Sequence, residues 1–271
     1  MTLRKFMSIF LLLCMSLFAQ EKLILGVNPY KSVEELRVIH AELIAYLEKA
    51  LDREIVFVVA KDYNQIMTLV EQGSVDIASV SPKLLAILRQ REPKLHYLAT
   101  IKFANAQVGT RSSYHGLILT LKGSAIQNIA DLKGKSFGFT DPDSTSGYLY
   151  PRFIMQQNGI NPNKDLGKVY MIKKHSKIID TILEESIDAG AVYDGIYYEL
   201  SKEKQEKIRI LATTEEIPYD AMIASNHLNK ALIAKIHDLL LAFHPSQATQ
   251  AGIAGFEEKP LSLYDRLLNL E

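Results

Sequence analysis

The 271-residue sequence has no tryptophan and a single cysteine, Cys14. With no second cysteine an intrachain disulfide is impossible, so the fold must be held by its core. Neither sign of charge is in excess: 31 Lys and Arg stand against 31 Asp and Glu, with no dense basic run. That excludes the broad positive field on which nucleic-acid binding depends. Any anion must then be held by local donors. The apolar run at residues 6–18 is shorter than the roughly 18 residues of a membrane-spanning helix. None of the seven histidines stands at metal-ligand spacing from another, so neither a metal nor a cofactor is expected.

The first nineteen residues differ from the rest. Arg4 and Lys5 precede the apolar run, and Ala19 offers a small residue for cleavage, the pattern of a secretory leader. Cys14 lies inside it, but the bulky Leu13 before it argues against lipid attachment. Removing this segment leaves 29 positive against 31 negative side chains, a net of about −2.

Beyond the leader, short β-rich runs alternate with helical stretches, the pattern of an α/β fold. KLILGV (22–27), IVFVVA (55–60), VDIASV (75–80) and HYLATI (96–101) read as strands, with helices over 33–51, 64–72 and 82–90. A second series follows. SFGFT (136–140), VYMI (169–172) and DAGAV (188–192) read as strands, with helices near 145–158, 176–186 and 195–206. An ungapped offset of 112 lays one series on the other, pairing Gly26 with Gly138, Ser32 with Ser144, Ile66 with Ile178, Asp76 with Asp188 and Val80 with Val192. Two small lobes of common design are expected.

In open α/β sheets ligands bind beyond the carboxyl ends of the strands, where loops enter helices. Ser144, Thr145 and Ser146 follow the strand SFGFT there, directly before Gly147. One hydroxyl suffices for a helix N-cap; three beside a helix start also make an anion seat. The same edge carries Tyr63, its offset partner His175, Ser81 and Asp194. Pro151 cannot donate to Gly147 in a regular helix, so a kink or an irregular first turn is expected there.

GVNPY, AKDYNQI, GSVDIASVSP, DLKGKSFGFTDPDSTSGYLYP, KKHSKII and SIDAGAVYD occur in this order along the chain. In this it resembles the periplasmic phosphate/phosphite/phosphonate-binding proteins of ABC transporters. The resemblance implies a two-lobed, type II periplasmic binding fold with a ligand cleft between the lobes and two crossover strands as hinge. The expected division is a leader at 1–19, lobe 1 at 20–108, lobe 2 at 109–220, and a return to lobe 1 with C-terminal helices at 221–271. It further implies that Ser144, Thr145 and Ser146 hold a phosphorus oxyanion, with Tyr63, Ser81 and His175 facing the same cleft. Asp194 is expected to accept a hydrogen bond from a P–OH group, which sulfate lacks. The chain departs from its relatives in carrying Leu85 where they often have an aromatic residue, which points away from a large organic group on the ligand.

The implied role is non-enzymatic: a monomer that captures its ligand in the periplasm and delivers it to a membrane permease. Two other readings remain open on the sequence. One is an exported sensor for a small anion that docks on a receptor. The other is a secreted serine hydrolase using Ser144 or Ser146 with His175 and Asp194.

Overall fold

The computed structural model describes residues 22–245 and 251–270. The expected leader and Cys14 lie outside them. Two mixed sheets form two lobes. In the first, β1 (Leu23–Val27) lies between β2 (Ile55–Val59) and β3 (Ile77–Val80), all parallel. Helices α1 (Val33–Leu51), α2 (Tyr63–Glu71) and α3 (Pro82–Arg91) connect and flank these strands, and β4 (His96–Asn105) continues the sheet.

Helix α1 shows how the sequence sets such an element. Ser32 and Glu35 form a reciprocal capping box, and Leu36, Leu43, Leu47 and Leu51 point into the core at helical spacing. Each such leucine contributes about 1.5–3 kcal/mol by leaving water. Asp52, in the left-handed region at φ 56°, ends the helix.

Gly109–Arg111 (β5), assigned to the second lobe from sequence, pairs instead with β4 of the first sheet. The alternation of the segment did not reveal that it closes a hairpin. Ser113–Tyr114 (β6) then makes the passage to β7 (Gly116–Leu121) of the second sheet. That sheet has the order β11 (Ile208–Thr213), β7, β10 (Ala189–Tyr193), β8 (Phe137–Phe139) and β9 (Val169–Met171). Its helices are α4 (Tyr150–Gln157), α5 (His175–Leu183), α6 (Asp194–Tyr198) and α7 (Lys202–Glu206). The last two replace the single helix expected over 195–206, because Ser201 caps a new start by accepting from the N–H of Lys204.

The return passes through β12 (Ile217–Pro218), which pairs antiparallel with β6 in a ribbon between the lobes. Then β13 (Ala221–Ala224) enters the first sheet between β3 and β4. Helix α8 (Lys230–Leu241) and β14 (Ala251–Glu257) complete that lobe, and α9 (Ser262–Asp265) packs on α3. Each lobe has its own apolar core, and a smaller cluster around Tyr114, Tyr150, Ile217 and Tyr219 spans the ribbon.

Candidate functional site

The carboxyl ends of β1, β3, β8 and β10 face one another across the gap between the lobes, and a cavity of about 440 Å³ lies there. Six of the seven residues singled out from sequence line it: Tyr63, Ser81, Ser144, Thr145, Ser146 and His175.

The serine turn combines capping with a seat. Ser144 Oγ accepts from the N–H of Gly147 at 3.1 Å, so its own O–H remains a donor. Residues Thr145–Leu149 wind as a π-turn before α4 begins at Tyr150. That is the irregular turn which Pro151 requires. The carbonyl of Gly147, which Pro151 cannot serve, accepts from the N–H of Thr140 at 3.2 Å. Gly147 itself has no alternative, since a Cβ there would stand 1.9 Å from Thr140 Oγ1. At the start of this turn the N–H groups of Thr145 and Ser146 have no carbonyl one turn behind them.

His175 opens α5 and is buried, which holds its ring well below the ordinary histidine range, at about 3; the Lys31 ammonium adds to the effect. Its Nδ1 accepts from the N–H of Tyr193 at 3.1 Å. The neutral ring must therefore carry its proton on Nε2, which makes it a donor. Tyr63 opens α2 on the opposite lobe, beside Ser144 and Asn28. Burial drives its hydroxyl, and those of Tyr30, Tyr114 and Tyr193, far above the ordinary range, so all four remain phenols.

Asp194 stands apart. It is buried but does not line the cavity, and its Oδ2 is paired with Arg111 of β5 at 3.1 Å. Neither of its oxygens bonds His175: Oδ2 is on Arg111, and Oδ1 has no hydrogen-bond partner among the described residues. Of the carboxylates that line the cavity, Glu34, Glu35, Glu199 and Asp220, the one beside Asn28 and the tyrosines is Asp220, in the return segment next to Tyr219. It keeps some accessible surface because it faces the cavity, yet burial raises its pKa to about 6, against a bond from Asn28 Nδ2 at 3.2 Å. Asn28 Oδ1 and the Tyr30 hydroxyl, both buried, have no hydrogen-bond partner among the described residues.

A family model described as ABC transporter, phosphonate, periplasmic substrate-binding protein matches residues 25–262. The chain belongs to this family. It is a family of substrate-binding proteins, not of enzymes. The chain is 24% identical over 250 residues to the phosphate-import protein PhnD of Mycolicibacterium smegmatis, covering 88% of this chain and 75% of that one. Among solved structures it is similar to PhnD1 of Prochlorococcus marinus in complex with methylphosphonate, with TM-score 0.79 and 16% identity over 92% of this chain and 96% of that one. A binding protein component of an ABC phosphonate transporter from Pseudomonas aeruginosa gives TM-score 0.78 and 20% identity, over 93% and 85% of the two chains.

Within this family fold, the lining residues that escaped the sequence reading include Asn28, Tyr30, Tyr114 and Asp220. Asn28 and Tyr30 lie just past β1, inside the quoted GVNPY, and the rule that pointed to the ends of the other strands applied there too. Tyr114 belongs to the crossing ribbon and Asp220 to the return segment just past it, and neither follows a strand-to-helix turn. Leu85, expected to bear on ligand size, is fully buried in the first lobe and does not line the cavity.

Proposed function

We propose that this chain is the binding component of an ABC transporter that captures a phosphorus oxyanion, as phosphate, phosphite or a small phosphonate, and passes it to the permease. Export through the leader at residues 1–19 would place it in the periplasm. The observation that carries this reading is the pairing of a neutral donor set with the carboxylate of Asp220, the lining carboxylates Glu35 and Glu199 being paired with Lys31. Ser144, Ser146, Tyr63 and the Nε2–H of His175 offer hydrogen bonds to anionic oxygens, and Asp220 offers an acceptor to a protonated one. The acceptor role expected of Asp194 falls to Asp220. Family membership, and the import of phosphate and binding of methylphosphonate by similar proteins, support the ligand class.

Isothermal titration with inorganic phosphate, phosphite, methylphosphonate, 2-aminoethylphosphonate and sulfate tests it. At least one phosphorus oxyanion must bind far more tightly than sulfate. Equal binding of sulfate, or none by any phosphorus compound, sinks the reading.

A further inference from the structure

Two lysines of the first lobe cross the gap to the second. Lys31, between β1 and α1, places Nζ 2.5 Å from Glu199 Oε2, just past α6, and 3.8 Å from Glu35 Oε1 of its own lobe. Lys83, near the start of α3, donates from Nζ to the carbonyl of Pro142 at 3.0 Å and stands 3.8 Å from Asp143 Oδ1, in the loop that leads into Ser144. Its backbone N–H donates to Thr145 Oγ1 at 3.0 Å, and next to it Ser81 Oγ donates to the carbonyl of Asp143 at 3.3 Å.

Both lysine side chains are about nine-tenths buried, with 10% and 8% exposure. Both cations come from the first lobe and both facing carboxylates from the second. The pairs lie on two sides of the cavity: Lys31 and Glu199 at its rim with the exposed Val38, Lys83 behind the serine turn. A buried ammonium is costly unless paired, and in a cleft opened to water both lysines would be hydrated without their second-lobe partners. These pairs therefore favour the closed arrangement alone. The Lys31 ammonium is already shared by two carboxylates, so it acts on the lobes rather than as a free charge offered to an anion.

We propose that Lys31 and Lys83 are positioning residues for ligand capture: by pairing across the gap with Glu199 and Asp143 they set the balance between closed and open lobes. Through that balance they set the rate at which ligand leaves. A state shifts only by interactions that differ between its forms, and these pairs exist in one form. Thr145 ties this to the site. Its hydroxyl accepts from the first lobe and keeps its own proton for a ligand oxygen, so seat and closure share one side chain. The inference does not depend on which ligand is bound.

The test uses Lys31→Met, Glu199→Gln and Lys83→Met in the full exported chain. Small-angle scattering without ligand reads the lobes; stopped-flow release of methylphosphonate and inorganic phosphate reads the rate. Each variant is expected to have a larger radius of gyration and to release ligand roughly five- to tenfold faster. Glu35→Gln, which keeps the helix cap and removes the same-lobe partner together with a longer-range attraction to Lys174 of the second lobe, is expected to change both far less than Lys31→Met does. Exchanging the charges, Lys31→Glu with Glu199→Lys in the Glu35→Gln background, is expected to restore both towards the parent. Variants with unchanged scattering and release overturn the proposal, as does opening by Glu35→Gln as large as that of Lys31→Met, or an exchange that restores nothing. Should Lys83→Met fail to fold, the Lys31 set decides alone. A changed radius with no oxyanion binding at all would keep this inference and discard the ligand class.

Discussion

Asp76 and Asp188, 112 residues apart, do the same work in the two lobes. Asp76 Oδ2 accepts from the N–H of Ile24 at 2.7 Å, and Asp188 Oδ2 from the N–H of Ser136 at 2.8 Å. Ile24 and Ser136 are also 112 apart. The correspondence extends inward. A Cβ on Gly26 would meet Ile66 and Val75, and one on Gly138 would meet Ile178 and Ile187, the residues at the same offset. Helix α2 at 63–71 and helix α5 at 175–183 coincide end to end under it. The lobes share one design, and within it Tyr63 and His175 hold equivalent places on opposite walls of the cavity.

Gly147 gives the sharpest packing prediction. Gly147→Ala drives a methyl group into Thr140, whose Oγ1, Cγ2 and Cβ would lie at 1.9, 2.7 and 2.8 Å. The backbone must move, at a cost of about 1–3 kcal/mol or more, and the serine turn moves with it. Denaturant unfolding and titration of the same variant should show both losses. Adding Thr140→Ala removes the nearest atoms and should recover part of each. Unchanged affinity in Gly147→Ala would mean the turn does not hold the ligand.

The serines separate capping from binding. Ser144 Oγ accepts from the N–H of Gly147, whereas Ser146 stands beside the Tyr114 hydroxyl. Ser144→Ala should lose about 1 kcal/mol of stability as a missing cap, and affinity as well. Ser146→Ala should lose affinity with stability nearly unchanged. Each hydrogen bond to a charged oxygen contributes roughly 1.5–3 kcal/mol, so the double variant should bind at least about tenfold more weakly. A double variant that loses only stability would reduce the turn to a cap.

Much of this was legible because strands and helices advertise themselves by period. The 112-residue offset could be found because Gly26, Gly138, Asp76 and Asp188 answer to local packing and a local backbone bond. Residues placed by the topology were harder. The role of Asp220 depends on a strand that crosses back beside Asn28, 192 residues earlier in the chain, and no periodicity records that meeting. Asp194 was misleading for a related reason. It sits at the start of α6 as expected, but β5 brings Arg111 to it from the other lobe. Its separation from the cavity is a property of the hairpin, not of the residue.

Selectivity against sulfate should depend on pH through Asp220. Above its pKa of about 6 the carboxylate is charged, accepts from P–OH, and repels an anion that has no proton to share. As pH falls from 7.5 to 5 the carboxyl group takes up a proton and the repulsion disappears. Sulfate affinity should therefore rise over that range. Asp220→Asn should bind sulfate better at pH 7.5 and show no such rise. Titrations at several pH values check it, and a pH-independent sulfate affinity in the parent protein would place selectivity elsewhere.

The same group shapes acid stability, with a sign opposite to that of two buried histidines. His40 is held at about 4 by burial despite its bond to the Leu36 carbonyl, and His175 at about 3. Both are ordinary, near 6.5, once unfolded. Their contribution is full above pH 6.5 and is lost as pH falls, because the unfolded chain then binds two protons that the folded chain refuses. Asp220 is raised, so between about 6 and the ordinary carboxylate value the folded chain holds one proton that the unfolded chain lacks. Among these three groups two protons stand against one, a loss approaching about 1.4 kcal/mol per pH unit between pH 6 and 4.5. In Asp220→Asn the opposing proton is gone and the slope should be steeper than the parent's by up to about 1.4 kcal/mol per pH unit. The raised values of Asp141 and Asp194 are common to both proteins and do not enter the difference. Urea unfolding of parent and variant at half-unit steps from pH 7.5 to 4.5 measures it. Parallel profiles would show that Asp220 takes up no proton on folding, and would remove the basis for its part in discriminating against sulfate.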